Sequence, residues 1–239
     1  MARWLVEISG DCFDVEEFPL WFPSGDIHSV TENGKVFLVG DTLDAITEAS
    51  DVHDMAVQQL DEYFEIIRLL VPGLRKPSIG TVFRENNAGV RQGFIFLSST
   101  VTARCKIHAT LTDAGEQNLA ARKTQTQAQD LLAASRSDKH FQVAISLAAN
   151  PGATWPHLYR CLEEVEYFLG QKVSDAGICS SSQRERFTRT ANSAEVSGRD
   201  SRHRLGRFFP PNDPMTISEA RSFISQTLLS TFRAAATPK

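Results

Sequence analysis

The chain has no apolar run approaching the roughly 18–20 residues that a membrane-spanning helix requires. A helical membrane protein is therefore excluded and no membrane partner is expected. The opening stretch MARWLVEISGDCFD places one arginine ahead of acids and lacks the apolar core of a secretory leader. A soluble, cytoplasmic protein is the expectation. Cysteine is sparse: Cys12, Cys105, Cys161 and Cys179 form no CxxC pair and stand at no zinc-finger spacing to a histidine. That excludes a dense disulfide framework and leaves buried free thiols as the expectation. GxxxxGK[ST] and GxGxxG are both missing, so no phosphate-cradling loop of those kinds and no cofactor is implied. No internal repeat is found.

What is present is an ordinary globular composition over 239 residues, 41% hydrophobic and 23% charged. That length suits one large domain or two small ones. The charge is uneven. Residues 1–70 hold 15 acidic and 3 basic side chains, a balance of −12; with −4 for the whole chain, the remainder carries +8. Between Ser182 and Arg207 seven arginines face three acids. Such a basic stretch fits phosphate contact. It equally fits pairing with the acidic segment of the same or a neighbouring chain.

The periodicity changes along the chain. Trp4, Val6 and Ile8 alternate as on a half-buried strand. Lys35–Val39 follows the turn signal Asn33-Gly34. Ser50 is positioned to cap a helix whose apolar stripe is Val52, Met55, Ala56, Leu60, Phe64, Ile67 and Leu70, stopped by Pro72-Gly73. Ile79–Glu85 and Gln92–Ser98 flank Asn86–Gly89 as a hairpin. Val101–Leu111 alternates again, with apolar residues on one face, the habit of an antiparallel sheet with one wet side. Beyond Gly115 the pattern is helical: 116–135, Phe141–Ala149, and Trp155–Leu169 with Pro156 in its first turn and Gly170 after it. Ser182–Glu185 and Thr216–Glu219 both read as capping boxes, opening a helix to about Asn192 and a final helix through Phe232. The expected fold class is α+β: an N-terminal domain, 1–112, of mostly antiparallel sheet with one packed helix, and a C-terminal helical bundle, 113–239. Within the bundle, Ser193–Pro214 is a long connection rich in Gly, Pro, Ser and Arg, and such loops are often functional.

The stretch GRDSRHRLG ahead of TISEARSFI, following a strand-rich domain and a helical one, resembles proteins with a C-terminal HEPN domain, in an ApeA-like layout associated with bacterial defence. The likeness covers roughly Phe141–Phe232. In that family the loop-to-helix junction carries Arg, often followed by Asn, with four to six residues before His. Many members are metal-independent ribonucleases acting as dimers; others lack the motif and serve as binding or regulatory modules. Here Arg199 and His203 are separated by three residues. With His203 set at the family minimum, the Arg position falls on Gly198 and the Asn position on Arg199.

The resemblance implies His203, Arg199 and Arg202 as candidate catalytic residues, and Arg184, Arg186, Arg189, Arg204 and Arg207 fill out a candidate binding set. Metal-free RNA cleavage needs a base, an acid and positive charge on the phosphate. Histidine supplies the first two and arginine the third. The expected partners are RNA or a nucleotide phosphate, a protein partner, and a second copy of the chain in a homodimer. Three functions follow: a binding or regulatory module with a degenerate HEPN-like domain; a metal-independent ribonuclease; and a scaffold or toxin-neutralising protein whose acidic segment meets a basic partner. No metal site is expected. His53 beside Asp51 and Asp54 offers too few groups sharing a helix face, and His157, Glu163 and Glu164 read as a solvated face. Cys179 has no identifiable base beside it.

Overall fold

The computed structural model describes residues 3–71, 73–96, 114–201 and 209–236. The chain is α+β, with one antiparallel sheet in its N-terminal part and helices through its C-terminal part. It divides into two compact units, 1–132 and 133–239. The expected strand Val101–Leu111 and the expected boundary at 112/113 lie outside the described residues.

In the first unit, strands β1 (Arg3–Ser9), β2 (His28–Glu32), β3 (Lys35–Val39), β4 (Ser78–Glu85) and β5 (Arg91–Phe94) form a five-stranded sheet in the order β2-β3-β1-β4-β5, every pair antiparallel. β1 is therefore central. Alternation places Trp4, Val6 and Ile8 beside Val36, Leu38 and Val82 on one face, and all six are buried. Leu5, on the other face, is fully buried too, so the half-wet pattern expected of β1 understates its burial. Central strands are covered on both faces where the unit permits it. Val6 pairs with Val82 but Ile8 with Ile79, so Gly80 and Thr81 together oppose Glu7 as a bulge. A Cβ on Gly80 would lie 3.3 Å from both Glu7 Cγ and Ser9 Cβ, which explains the glycine.

The expected helix behind β3 is present as α4, once three four-residue helices are counted: α1 (Cys12–Val15), α2 (Phe18–Trp21) and α3 (Asp41–Asp44) precede α4 (Ala49–Leu70). The cap of α4 differs from expectation. The N-cap is Glu48, without a side-chain cap, and Ser50 lies inside the first turn with its hydroxyl on Asp51. α4 packs along β4 and β1. Tyr63 extends its apolar stripe: its ring stacks on Phe22 at 3.8 Å and its hydroxyl donates to the Ile27 carbonyl. Gly40, ahead of α3, has φ 147°, and a Cβ there would sit 2.0 Å from the Asp26 carbonyl oxygen. Only glycine fits that approach.

Helix α5 (Ala114–Ser137) crosses the boundary between the units in sequence. The second unit holds α6 (Lys139–Ala149), α7 (Trp155–Leu169), α8 (Ser181–Asn192), α9 (Ala194–Ser197) and α10 (Ile217–Ala236). α6 and α7 form a hairpin across Asn150–Thr154, and α10 packs on both. Phe187 of α8 is fully buried, 5.3 Å from the Phe223 ring and 6.2 Å from Trp155. Phe141 meets Phe168 and Phe232. The α8 capping box is Ser180 with Gln183, two residues ahead of the expected Ser182 box. Ser180-Ser181-Ser182 permits either register, and the earlier start adds two residues, about half a turn, to the helix. The Thr216–Glu219 box forms as expected: Glu219 N–H donates to Thr216 Oγ1 at 3.2 Å, and Thr216 N–H to Glu219 Oε2 at 2.7 Å.

Among the described residues no helix is long and apolar enough to cross a membrane. Of the described cysteines, Cys12 is exposed, Cys179 half-buried and Cys161 buried, and all three are free thiols. Burial of all thiols was expected; Cys12 departs from it because α1 turns its first residue outward.

Candidate functional site

α8 carries three of the candidate arginines, and the fold gives each an internal partner. Arg184 donates from Nε to Glu166 Oε1 at 2.6 Å and from Nη2 to Glu166 Oε2 at 2.8 Å. This is the parallel two-bond fork that guanidinium geometry favours. Glu166 also accepts the Val173 N–H at 3.1 Å. The Glu166 hydrogen bond raises the Arg184 pKa, outweighing burial, which acts in the opposite direction. Arg186 donates from Nε to the Asp213 carbonyl at 2.7 Å and pairs through Nη2 with Asp213 Oδ2 at 3.0 Å and Glu219 Oε1 at 3.3 Å. The Glu219 carboxyl is held below its ordinary pKa by the Thr216 N–H first, then the Thr216 hydroxyl, then Arg186. Arg189 donates to the Pro210 carbonyl at 3.3 Å and lies 3.5 Å from Glu185, one turn back.

These contacts share a purpose. Pro210 and Asp213 belong to the segment that leads into α10 and Glu219 to the first turn of α10, and Arg186 and Arg189 fasten them to α8. Thr190, fully buried, adds a third fastening: its hydroxyl donates to the Arg186 carbonyl at 2.7 Å and accepts the Met215 N–H at 3.2 Å. At the other side of the connection, Ser201 Oγ donates to the Asn192 carbonyl at 3.0 Å and Ser197 Oγ to the Ser193 carbonyl at 2.7 Å. α8 thus holds Ser201 at its C-terminal end and Pro210, Asp213 and Met215 along its length. The long connection expected at 193–214 is not irregular throughout: α9 and a 3-10 turn, Gly198–Asp200, occupy its first part.

Arg199 lies in that 3-10 turn. His203, Arg202, Arg204 and Arg207 lie outside the described residues. The structure therefore gathers Arg184, Arg186 and Arg189 on α8, though with separate partners rather than around one centre.

Sequence reasoning missed a pair on the α6–α7 hairpin. His140 Nδ1 lies 2.6 Å from Glu164 Oε2, and Arg160 Nε donates to Glu164 Oε1 at 3.4 Å. The His140 ring lies 3.9 Å from that of Tyr167, which is 70% exposed. A carboxylate on one ring nitrogen fixes the orientation of an imidazole, the arrangement used to position histidine bases. No local signal announced it, because 24 residues separate the partners. Cys161, one turn before Glu164, adds no nucleophile. Its thiol donates to the Ala144 carbonyl at 3.3 Å, and its pKa is pushed up to about 12 by burial, with Glu164 adding to the effect. Near the C-terminus of α7, an open depression of about 700 Å³ is lined by Glu163, Glu166, Tyr167, Gly170, Gln171 and Lys172. His53, weighed above as a weak metal ligand, bonds Asp54 at 3.2 Å and stacks on Phe96. Among the described residues no group of three or more His, Cys, Asp or Glu side chains could hold a metal ion.

Compared with known proteins, the chain matches no family model, no curated protein and no solved structure.

Proposed function

We propose that the chain is a binding or regulatory module with a degenerate HEPN-like helical domain, in which the stretch around Arg199–Arg207 engages an anionic partner, RNA or a nucleotide phosphate, without turnover. The observation that carries this reading is that α8 holds the described residues on both sides of the arginine-rich stretch. Arg186, Arg189 and Thr190 hold Pro210, Asp213 and Met215, and Ser197 and Ser201 donate to the Ala191 and Asn192 carbonyls at the end of α8. Fixed flanks lower the ordering cost of binding. The internal partners of Arg184, Arg186 and Arg189 give those three a positioning role, and leave the phosphate contacts to Arg199, Arg202, Arg204 and Arg207. The functional unit in this reading is a homodimer.

The test is fluorescence anisotropy with single-stranded RNA across a salt series, run beside a cleavage assay in EDTA. Binding is expected to weaken steeply with salt, and Arg202→Ala with Arg204→Ala to reduce the salt slope by about one to two. Neither wild type nor His203→Ala is expected to cut. Cleavage by wild type that His203→Ala abolishes would replace this reading with the metal-independent ribonuclease. Salt-insensitive or undetectable binding would overturn both.

A further inference from the structure

The acidic end of the chain carries a second candidate surface, in the first unit. Asp11 caps α1, accepting the Phe13 N–H at 3.2 Å. Glu16 and Glu17, between α1 and α2, both keep right-handed helical backbone angles. Glu16 N–H donates to the Cys12 carbonyl, and the Leu20 and Trp21 N–H groups donate to Glu17. The helical backbone angles at Glu16 and Glu17 lead α1 into α2, and the burial pattern gives residues 12–21 two sides. Val15, Phe18, Trp21 and Phe22 are buried. Phe13, Glu16, Glu17 and Leu20, at helical spacings of three, four and seven, share the outer side. Phe13 is 50% and Leu20 52% exposed.

We infer that this outer side is a docking surface for a cationic amphipathic segment of a protein partner, with apolar residues meeting Phe13 and Leu20 and lysine or arginine between them meeting Glu16 and Glu17. The order of the four residues, apolar at both ends and acidic between, fixes the complementary pattern. An anchor–charge–anchor arrangement gives orientation as well as affinity, because apolar anchors supply the binding energy and charges select the partner. Asp11, Glu16 and Glu17, close together in sequence here and none in a salt bridge among the described residues, favour a cationic partner over an anionic membrane. Arg75, whose backbone N–H donates to Asp14 at 3.2 Å, is the base placed beside this surface.

The test uses the full chain and a fluorescein-labelled helical peptide of Lys and Ala carrying two Leu at the spacing of Phe13 and Leu20. A permuted peptide of the same composition has its two Leu adjacent. The patterned peptide is expected to bind about tenfold tighter than the permuted one. Phe13→Ser with Leu20→Ser should remove that preference. Glu16→Lys with Glu17→Lys should abolish binding of both peptides. Phe13 and Leu20 are about half exposed, so the serine variant should melt close to wild type, and circular dichroism verifies that both variants are folded. Equal affinities for the two peptides, or unchanged affinity in the variants, would overturn the inference. So would capture by phosphatidylserine vesicles, or self-association lost in the serine variant, which would assign the face to a membrane or to a second copy. RNA affinity measured on the same serine variant should equal wild type, so failure here and failure of the basic-segment reading are separately visible.

Discussion

The sheet of the first unit and helix α8 of the second both carry pairs of basic side chains with carboxylates, but the pairs do different work. On the sheet, Arg3 donates to Glu85 at 2.8 Å, Arg91 donates to Glu85 at 2.7 Å and also reaches Glu32, and Lys35 meets Glu7 at 2.7 Å. These groups cross strands already joined by backbone ladders, so the charges decorate an order that exists without them. Arg3 is 46% and Lys35 57% exposed, where solvent and salt weaken the attraction. On α8, the same chemistry reaches a connection with no ladder of its own. There the arginines fasten backbone carbonyls and a helix cap, and losing one releases a segment rather than trimming an edge. The lesson is that the worth of an ion pair depends on what else holds its two ends.

The sharpest way to break the comparison is to remove the base on which the α8 fastenings stand. Phe187→Ala deletes a fully buried ring between Trp155 and Phe223 and should cost about 3–5 kcal/mol in urea unfolding. A cost below about 1 kcal/mol would mean that α8 is held by its polar contacts instead. Next comes Glu166→Gln, which keeps the shape but leaves the Arg184 fork without its carboxylate and should cost about 1–3 kcal/mol. The second unit should melt earlier while the first is unaffected, followed by the separate tryptophan signals of Trp155 and Trp21.

The smallest effect is expected on the sheet. Arg91→Ala should lower the melting temperature less than Glu166→Gln, and the difference should shrink in high salt. Its pH dependence sharpens the contrast. Hydrogen bonds from Arg3 and then Arg91 hold the Glu85 carboxyl below its ordinary pKa. A lowered folded pKa contributes stability above the ordinary carboxylate range, and that contribution is lost as pH falls through the range to the folded value. Glu17 has the opposite sign. Burial, then neighbouring Glu16, raises its pKa, so its contribution is present in acid and lost as pH rises through the folded value. Arg91→Ala should flatten the acid limb of the melting-temperature profile, and Glu17→Gln should flatten the limb above it. Unchanged profiles would show that neither carboxyl couples to folding.

Much of the fold is legible where a residue's role repeats locally. The alternation in β1, the turn before β3, the stripes of α6 and α7 and the Thr216–Glu219 cap all depend on neighbours within one or two turns, so the sequence displays them. β2 was not seen because His28–Glu32 mixes polar and apolar residues without clear alternation, and it becomes a strand by pairing with β3. α1, α2 and α3 are each four residues long, too short for a helical period to show. The candidate site divides in the same way. Arg184, Arg186 and Arg189 are visible as a basic run, but nothing near them in sequence reveals Glu166, Asp213 or Pro210 as partners.

The sequence by itself determined the α+β class, the acidic first part and basic later stretch, and the principal helices, because period and composition are properties of contiguous residues. The tertiary structure alone decided which charges are consumed internally. It committed the α8 arginines to fastening a connection, joined His140 to Glu164 across a hairpin, and turned Phe13 and Leu20 outward with two glutamates between them. The physical reason is that hydrogen bonds and ion pairs are satisfied by whatever the packed backbone brings within about 3 Å, and that proximity is set by the fold rather than by spacing along the chain.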